Sequence, residues 1–189
     1  MALHPTRRTV LASGLAAASL PALTQAALAQ AAAGATLVVG IAADHTGLDP
    51  EAVENNTSGF IMSCIYDSLV RYKPGTVETE PGLAERWDIA PDGLKYTFHL
   101  RPGVTFHDGS PFTADDVVYT VNSALADGVA VPSNYAFLAG AERIDDLHVR
   151  IRLKRVFPAA LEYIAMVLPV LPRAYRERVG AGFSQAPVG

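Results

Sequence analysis

The strict alternation from Lys95 to Arg101 leaves that segment little conformational choice. Tyr96, Phe98 and Leu100 point one way, and Lys95, Thr97, His99 and Arg101 the other. A period of two with one apolar face marks a half-buried antiparallel strand. Just upstream, Pro91-Asp92-Gly93 is a strong turn signal, because Pro fixes one φ and Gly tolerates a positive one. The turn folds the strand back on Glu85 to Ala90, which carries the only tryptophan, Trp87, so a hairpin is predicted. Arg101-Pro102-Gly103 turns again, Val104 to Phe106 is short and extended, and Asp108-Gly109 ends it. A helix then opens at Thr113. Thr113 caps it, Asp116 stands where a capping box places its acid, and Asp115 and Asp116 meet the positive end of the helix dipole. Val117, Val118, Val121 and Leu125 supply its buried stripe, and Asp127-Gly128 ends it.

Elsewhere the pattern is similar in kind. Ala35 to Ala42 is a β-branched run that reads as a buried strand, punctuated by Asp44-His45-Thr46-Gly47. Asn56, Thr57 and Ser58 are N-cap candidates. Phe60, Ile61, Cys64, Ile65 and Leu69 recur at helical spacing, which predicts a helix from Ser58 to Ser68 with one buried face. Cys64 lies on that face, so it is expected as a buried, inert thiol; as the single cysteine it has no internal disulfide partner. Leu69 to Tyr72 is a short strand and Lys73-Pro74-Gly75 a turn. Glu142 to Leu153 is a second hairpin turned at Asp145-Asp146, with Leu147, Val149, Ile151 and Leu153 alternating against His148, Arg150 and Arg152. Pro158 starts a helix through Met166, and Pro172 a last short one to Arg178. About three helices and several antiparallel strands make an α/β or α+β module with a sequence-local core.

Half of the 189 residues are hydrophobic, a fraction raised by the N-terminus. Residues Met1 to Ala29 read as an export signal: His4, Arg7 and Arg8 form a basic region, Val10 to Leu20 an apolar one, and Ala27-Leu28-Ala29 a small-x-small cleavage pattern. The mature chain would begin at Gln30. The other reading of this segment, an uncleaved anchor, is opposed by Ser13, Ser19, Pro21, Thr24 and Gln25. Thr6-Arg7-Arg8-Thr9-Val10-Leu11 resembles a twin-arginine signal, which leaves the Tat and Sec routes both open. Without residues 1–29 the chain holds 13 basic and 19 acidic residues, a charge of −6. That balance argues against nucleic acid or an anionic membrane as partner.

Catalytic chemistry finds little support. His99 and His148 lie on polar strand faces, His107 is followed directly by Asp108, and none matches a metal-ligand spacing. Asp115 and Asp116 are consecutive on a helix and face apart, so capping explains them better than paired acid/base work. Neither a Ser-His-Asp set nor a Gly-rich phosphate loop is present. The chain is therefore read as a non-enzyme without cofactor or metal.

Five features stand in one order: Leu48-Asp49-Pro50; Gly82-Leu83-Ala84-Glu85-Arg86-Trp87; Tyr96-Thr97-Phe98-His99-Leu100-Arg101; the run Phe106 to Val117; and Pro187-Val188-Gly189. Together they resemble the family 5 extracellular solute-binding proteins, the peptide/nickel/opine class that feeds bacterial ABC importers. The resemblance covers about Leu37 to Gly189. It implies an α/β, type II periplasmic binding protein-like fold, here the N-terminal portion of lobe I with its α+β satellite subdomain. Residues 30–49 would begin lobe I, 50–172 form the satellite, and 173–189 return toward lobe I. Family members are more than twice as long, so the chain is expected to be an N-terminal fragment.

By the same resemblance the chain is a monomeric periplasmic receptor that captures a peptide or similar small solute and delivers it to a membrane permease. Nickel-chelate, glutathione, opine and sugar binders share the pattern and stay open as alternatives. So does a different class, a secreted hydrolase or structural module. Glu54, Asn55 and Asn56 stand where peptide-binding relatives run a segment alongside the ligand; an Asx-rich loop capping the next helix is the competing reading, and the two are compatible. Tyr135 stands near where such relatives offer a tyrosine, against the plainer reading of a partly buried loop aromatic. His45, at the same presumed edge, reads as an exposed loop histidine.

Overall fold

The structure is a computed structural model that describes residues 38–41, 43–52, 56–127, 129 and 132–189. The proposed signal, residues 1–29, and the segment Val53–Asn55 lie outside them. Of the unit Met1–Gly40 only residues 38–40 are described, as exposed chain without regular structure. Every described helix and strand belongs to the unit Ile41–Gly189.

The alternating segment is strand β4 (Lys95–Leu100), and the pattern does what its period demands. Tyr96, Phe98 and Leu100 are buried, while Lys95, Thr97 and His99 face outward. β4 pairs antiparallel with β3 (Ala84–Ile89) across the Pro91 turn, where Gly93 takes φ +66°. Its other edge pairs with β6 (His148–Leu153), which pairs in turn with β5 (Leu138–Asp145). The sheet order is β3-β4-β6-β5, antiparallel throughout. Val149, Ile151 and Leu153 of β6 share the buried face with Phe98 and Leu100. A separate two-stranded ladder joins β1 (Val70–Tyr72) to β2 (Thr79–Pro81).

Helix α1 spans Asn56–Met62, α2 Ala114–Ser123, α3 Pro132–Tyr135, α4 Ala160–Val167 and α5 Arg173–Val179, and a 3₁₀ turn follows at Gly180–Ser184. α2 begins as its sequence dictates. The Asp116 carboxylate accepts the Thr113 N–H at 2.9 Å, which closes the capping box. Val117 and Val121 are fully buried against the sheet. Asp116 and Thr120, themselves buried, also tie α2 to the returning chain. The other Asp116 oxygen accepts the Arg173 N–H at 3.0 Å, and the Thr120 hydroxyl oxygen accepts the Leu171 N–H at 2.9 Å.

Two motif glycines are explained by close packing. A Cβ at Gly82 would stand 2.5 Å from the Ser68 carbonyl oxygen, so only glycine lets β2 pass that backbone into β3. Gly189 lies against the Ile65 carbonyl, and its own carbonyl accepts the His107 N–H at 2.8 Å.

Several expectations fail. The described part of the β-branched run, residues 38–41, forms no strand; Val38, Val39 and Ile41 are exposed, and no partner strand among the described residues pairs with them. The helix expected over 58–68 covers only Asn56–Met62, so Asn56, Thr57 and Ser58 lie in its first turn rather than cap it. Turns at Ser63–Ile65 break the helical register, and the apolar stripe does not continue. Phe60 is therefore 56% exposed, and Cys64 is exposed instead of buried. α2 also stops at Ser123, ahead of the Asp127 stop signal. The helices outnumber the roughly three expected, because α3 is too short to show a clear period.

Two substitutions test this packing. Asp116→Ala should lower unfolding free energy by about 2 kcal/mol, since it removes a cap and orphans the Arg173 N–H. Gly82→Ala should cost about 1–3 kcal/mol through overpacking against backbone. Urea denaturation followed by Trp87 fluorescence measures both; unchanged midpoints would contradict the contacts described.

Candidate functional site

The described residues form an open groove of about 880 Å³. α1 contributes Phe60 and Met62, the following turn Tyr66, β1 Arg71 and Tyr72, α3 Asn134 and Tyr135, and the end of α4 Met166 and Val167. Pro50 closes one part of the rim. The lining mixes aromatic and thioether side chains with the polar side chains of Ser63, Asp67, Ser68, Arg71 and Asn134, a mixture that suits a small-molecule or peptide site. Phe60 and Met166 are each more than half exposed, so apolar surface faces the opening.

The groove has these walls for local reasons. Phe60 lies on the exposed side of α1. Tyr72 follows buried Val70 at the end of a short strand, and its hydroxyl donates to the Glu162 carbonyl at 3.1 Å, which ties it to α4. Tyr66 packs against Phe183 with ring centroids 6.1 Å apart and donates its hydroxyl to the Leu48 carbonyl at 2.7 Å.

Electrostatics favour neutral phenols here. Burial pushes the Tyr135 phenol from its ordinary 10.0 up to about 12, with Glu51 and then Asp49 adding to the effect. Burial also raises Tyr66, helped by Asp49 and opposed by Arg176. Both carboxylates belong to the turn beside Pro50. They converge on Arg176, whose Nη2 lies 2.7 Å from Asp49 and 3.2 Å from Glu51.

Of the residues singled out in the sequence, Tyr135 lines the groove. It ends the short helix α3 rather than sitting in a loop, and it is buried, at 4% exposure. Asn56 begins α1, and Glu54 and Asn55 lie outside the described residues. His45 is exposed in its loop. The histidines on the sheet are drawn together more than their separation suggests: His99 and His148 meet edge to face at 4.6 Å between ring centroids. His99 Nε2 lies 2.6 Å from Asp88, and His148 Nδ1 lies 2.7 Å from Asp145. Among the described residues no group of three or more His, Cys, Asp or Glu is arranged to hold a metal ion. Sequence reasoning missed Phe60, Tyr72 and Met166 as groove residues and Arg176 as the partner of Asp49. Phe60 carried a misleading helical period; the others carried no local signal.

Three comparisons bear on this geometry. The family model for bacterial extracellular solute-binding proteins, family 5 (middle), matches residues 78–189. Di/tripeptide-binding protein 4 of Pseudomonas aeruginosa is 37% identical over 164 residues, covering 74% of this chain and 31% of that protein. The dipeptide-binding protein of Escherichia coli K12 is 42% identical over 109 residues, covering 54% of this chain and 20% of the relative. Among solved structures, the binding protein MoaA of A. tumefaciens R10 in complex with mannopinic acid superimposes with TM-score 0.71 at 34% identity, over 76% of this chain and 31% of that one. The periplasmic binding protein DppA of Helicobacter pylori, in complex with peptide STSA, gives 0.68 at 31% identity, over 78% and 34%. The chain thus spans roughly a third or less of each of these proteins.

The raised phenols predict an alkaline limit to stability. A folded pKa above the unfolded one leaves stability intact below pH 10 and removes it as pH rises toward 12, because the unfolded chain releases its phenolic protons first. Tyr135→Phe should flatten that loss. Absorbance titration at 295 nm beside urea melts at several pH values checks it; stability that falls equally steeply in the variant would contradict a buried Tyr135 phenol.

Proposed function

Because this chain belongs to the bacterial extracellular solute-binding proteins of family 5, we propose that it forms one wall of a peptide-binding cleft in the receptor of an ABC importer. Its fold is the matching part of the type II periplasmic binding protein fold. The observation that carries the reading is the open aromatic groove that borders Pro50 and Tyr135. Its exposed Phe60 and Met166 make it a surface suited to a second wall closing over a ligand. The peptide relatives supply the ligand class. Residues 54–56 would run alongside the peptide main chain, which gives affinity with little side-chain selectivity. Tyr135 would present its ring, kept as a neutral phenol at physiological pH.

In this reading residues 1–29 direct export to the periplasm and are removed. Residues 30–49 begin lobe I, 50–172 form the satellite subdomain, and 173–189 return to the lobe. The receptor works as a monomer without cofactor or catalysis. Ligand capture shifts an open–closed equilibrium, and the closed form docks on the membrane permease.

Micromolar capture corresponds to about −8 kcal/mol, which a single wall should not supply. Residues 30–189 alone should bind di- and tripeptides with Kd weaker than about 1 mM. A chimera in which this chain replaces the equivalent N-terminal part of the E. coli dipeptide-binding protein should restore micromolar dipeptide binding. Calorimetry reads both. Tight binding by the isolated residues, or a folded chimera that binds no dipeptide, would overturn the reading.

A further inference from the structure

Next to the groove the chain assembles a nearly dry ion triad. The side chains of Arg176, Asp49 and Glu51 are 14%, 7% and 14% exposed. Such triads are poor stabilisers, since taking three charges out of water offsets most of their attraction, and apolar replacements are often as stable. What a buried triad does supply is one defined geometry. Here the guanidinium fixes it from several directions. Nη2 reaches both carboxylates, Nη1 donates to the Gly180 carbonyl at 3.3 Å, and the guanidinium carbon stands 4.8 Å from the centroid of the Phe183 ring. A lysine could not make this set of contacts.

The carboxylates carry that geometry into the backbone. Asp49 Oδ1 accepts the Glu51 N–H at 3.1 Å, and the Asp49 carbonyl accepts the Ala52 N–H at 3.1 Å, so residues 49–52 form a closed turn. Glu51 also accepts the Ser123 hydroxyl of α2, and the Leu48 N–H donates to Ser184 at 3.1 Å. Pro50, within this turn, is on the groove rim. α5 is thereby bound to a turn far away in sequence, at the point where the chain approaches the groove.

We propose that Arg176 is a positioning residue for ligand capture: by clamping Asp49 and Glu51 it fixes the turn that holds Pro50 at the groove. The proposal rests on the reading of that groove as a ligand cleft. In the 189-residue chain, Arg176→Gln and Arg176→Met should speed amide hydrogen exchange at Glu51 and Ala52 by roughly tenfold or more. Protection at Phe98 and Val149 in the sheet should stay within about twofold of the parent. Arg176→Lys should fall between. Gln and Met each leave Asp49 and Glu51 buried without their cation, so Arg176→Lys, which keeps the charge but not the fork, keeps the test open if they impair folding. A uniform rise over all amides would reduce Arg176 to a general structural role, and no change at Glu51 and Ala52 would remove the clamp.

The dipeptide-binding chimera then tests the link to capture. Arg176→Met should weaken dipeptide affinity roughly tenfold, mainly through faster release. Unchanged affinity despite a released turn would overturn the role in capture. A parent chimera that binds nothing sinks the cleft reading and the capture role with it, while the exchange data still decide whether the clamp exists.

Discussion

A single buried carboxylate organises this molecule. Asp116 has two oxygens and gives each a backbone donor: one takes the Thr113 N–H and starts α2, the other takes the Arg173 N–H and starts α5. Both helices need such a partner, because the first N–H groups of a helix have none within it. One side chain therefore fixes where the chain goes into the central helix and where it comes out of the extended segment after α4. Thr120, one turn further on, holds Leu171 in the same way. With α5 so placed, Arg176 stands over Phe183 and reaches the turn at Asp49. The position of the groove rim follows from that sequence of contacts.

The groove itself is what remains when these constraints are met. The sheet satisfies its apolar face with α2 and leaves nothing for Phe60 or Met166 to bury against among the described residues. A chain of ordinary composition that leaves aromatic and thioether side chains at one open concavity has surface suited to binding something there. Membership in family 5 and the proposed peptide role give that surface a use, since a receptor wall has to remain open until its ligand arrives.

Much of the scaffold was legible in the residues. β4 and β6 alternate so regularly that one face had to be buried, and Phe98, Val149 and Ile151 are fully enclosed. The Pro91 turn, the hairpin at Asp145 and the capped start of α2 all stand where local chemistry puts them. The reading failed where the period was helical but the segment was too short to hold it. Phe60, Ile61, Cys64 and Ile65 fit one face of a longer helix, yet the chain turns after Met62 and scatters them. The described part of the β-branched run, residues 38–41, has no strand among the described residues to pair with, and strand propensity has little effect without one. Of the site, Tyr135 was visible as a residue but not as a buried one.

The sequence by itself determined the hairpins of the four-stranded sheet, the turns, the capping box and the family, because each is written in residues close along the chain. Only the tertiary structure decided that Arg176 meets Asp49 and Glu51, that His99 meets His148, and that α1, β1, α3 and α4 enclose one groove. Those arrangements join residues far apart in sequence. Their free energy comes from burial and from matching charges that no local period records, so they exist only once the chain has folded.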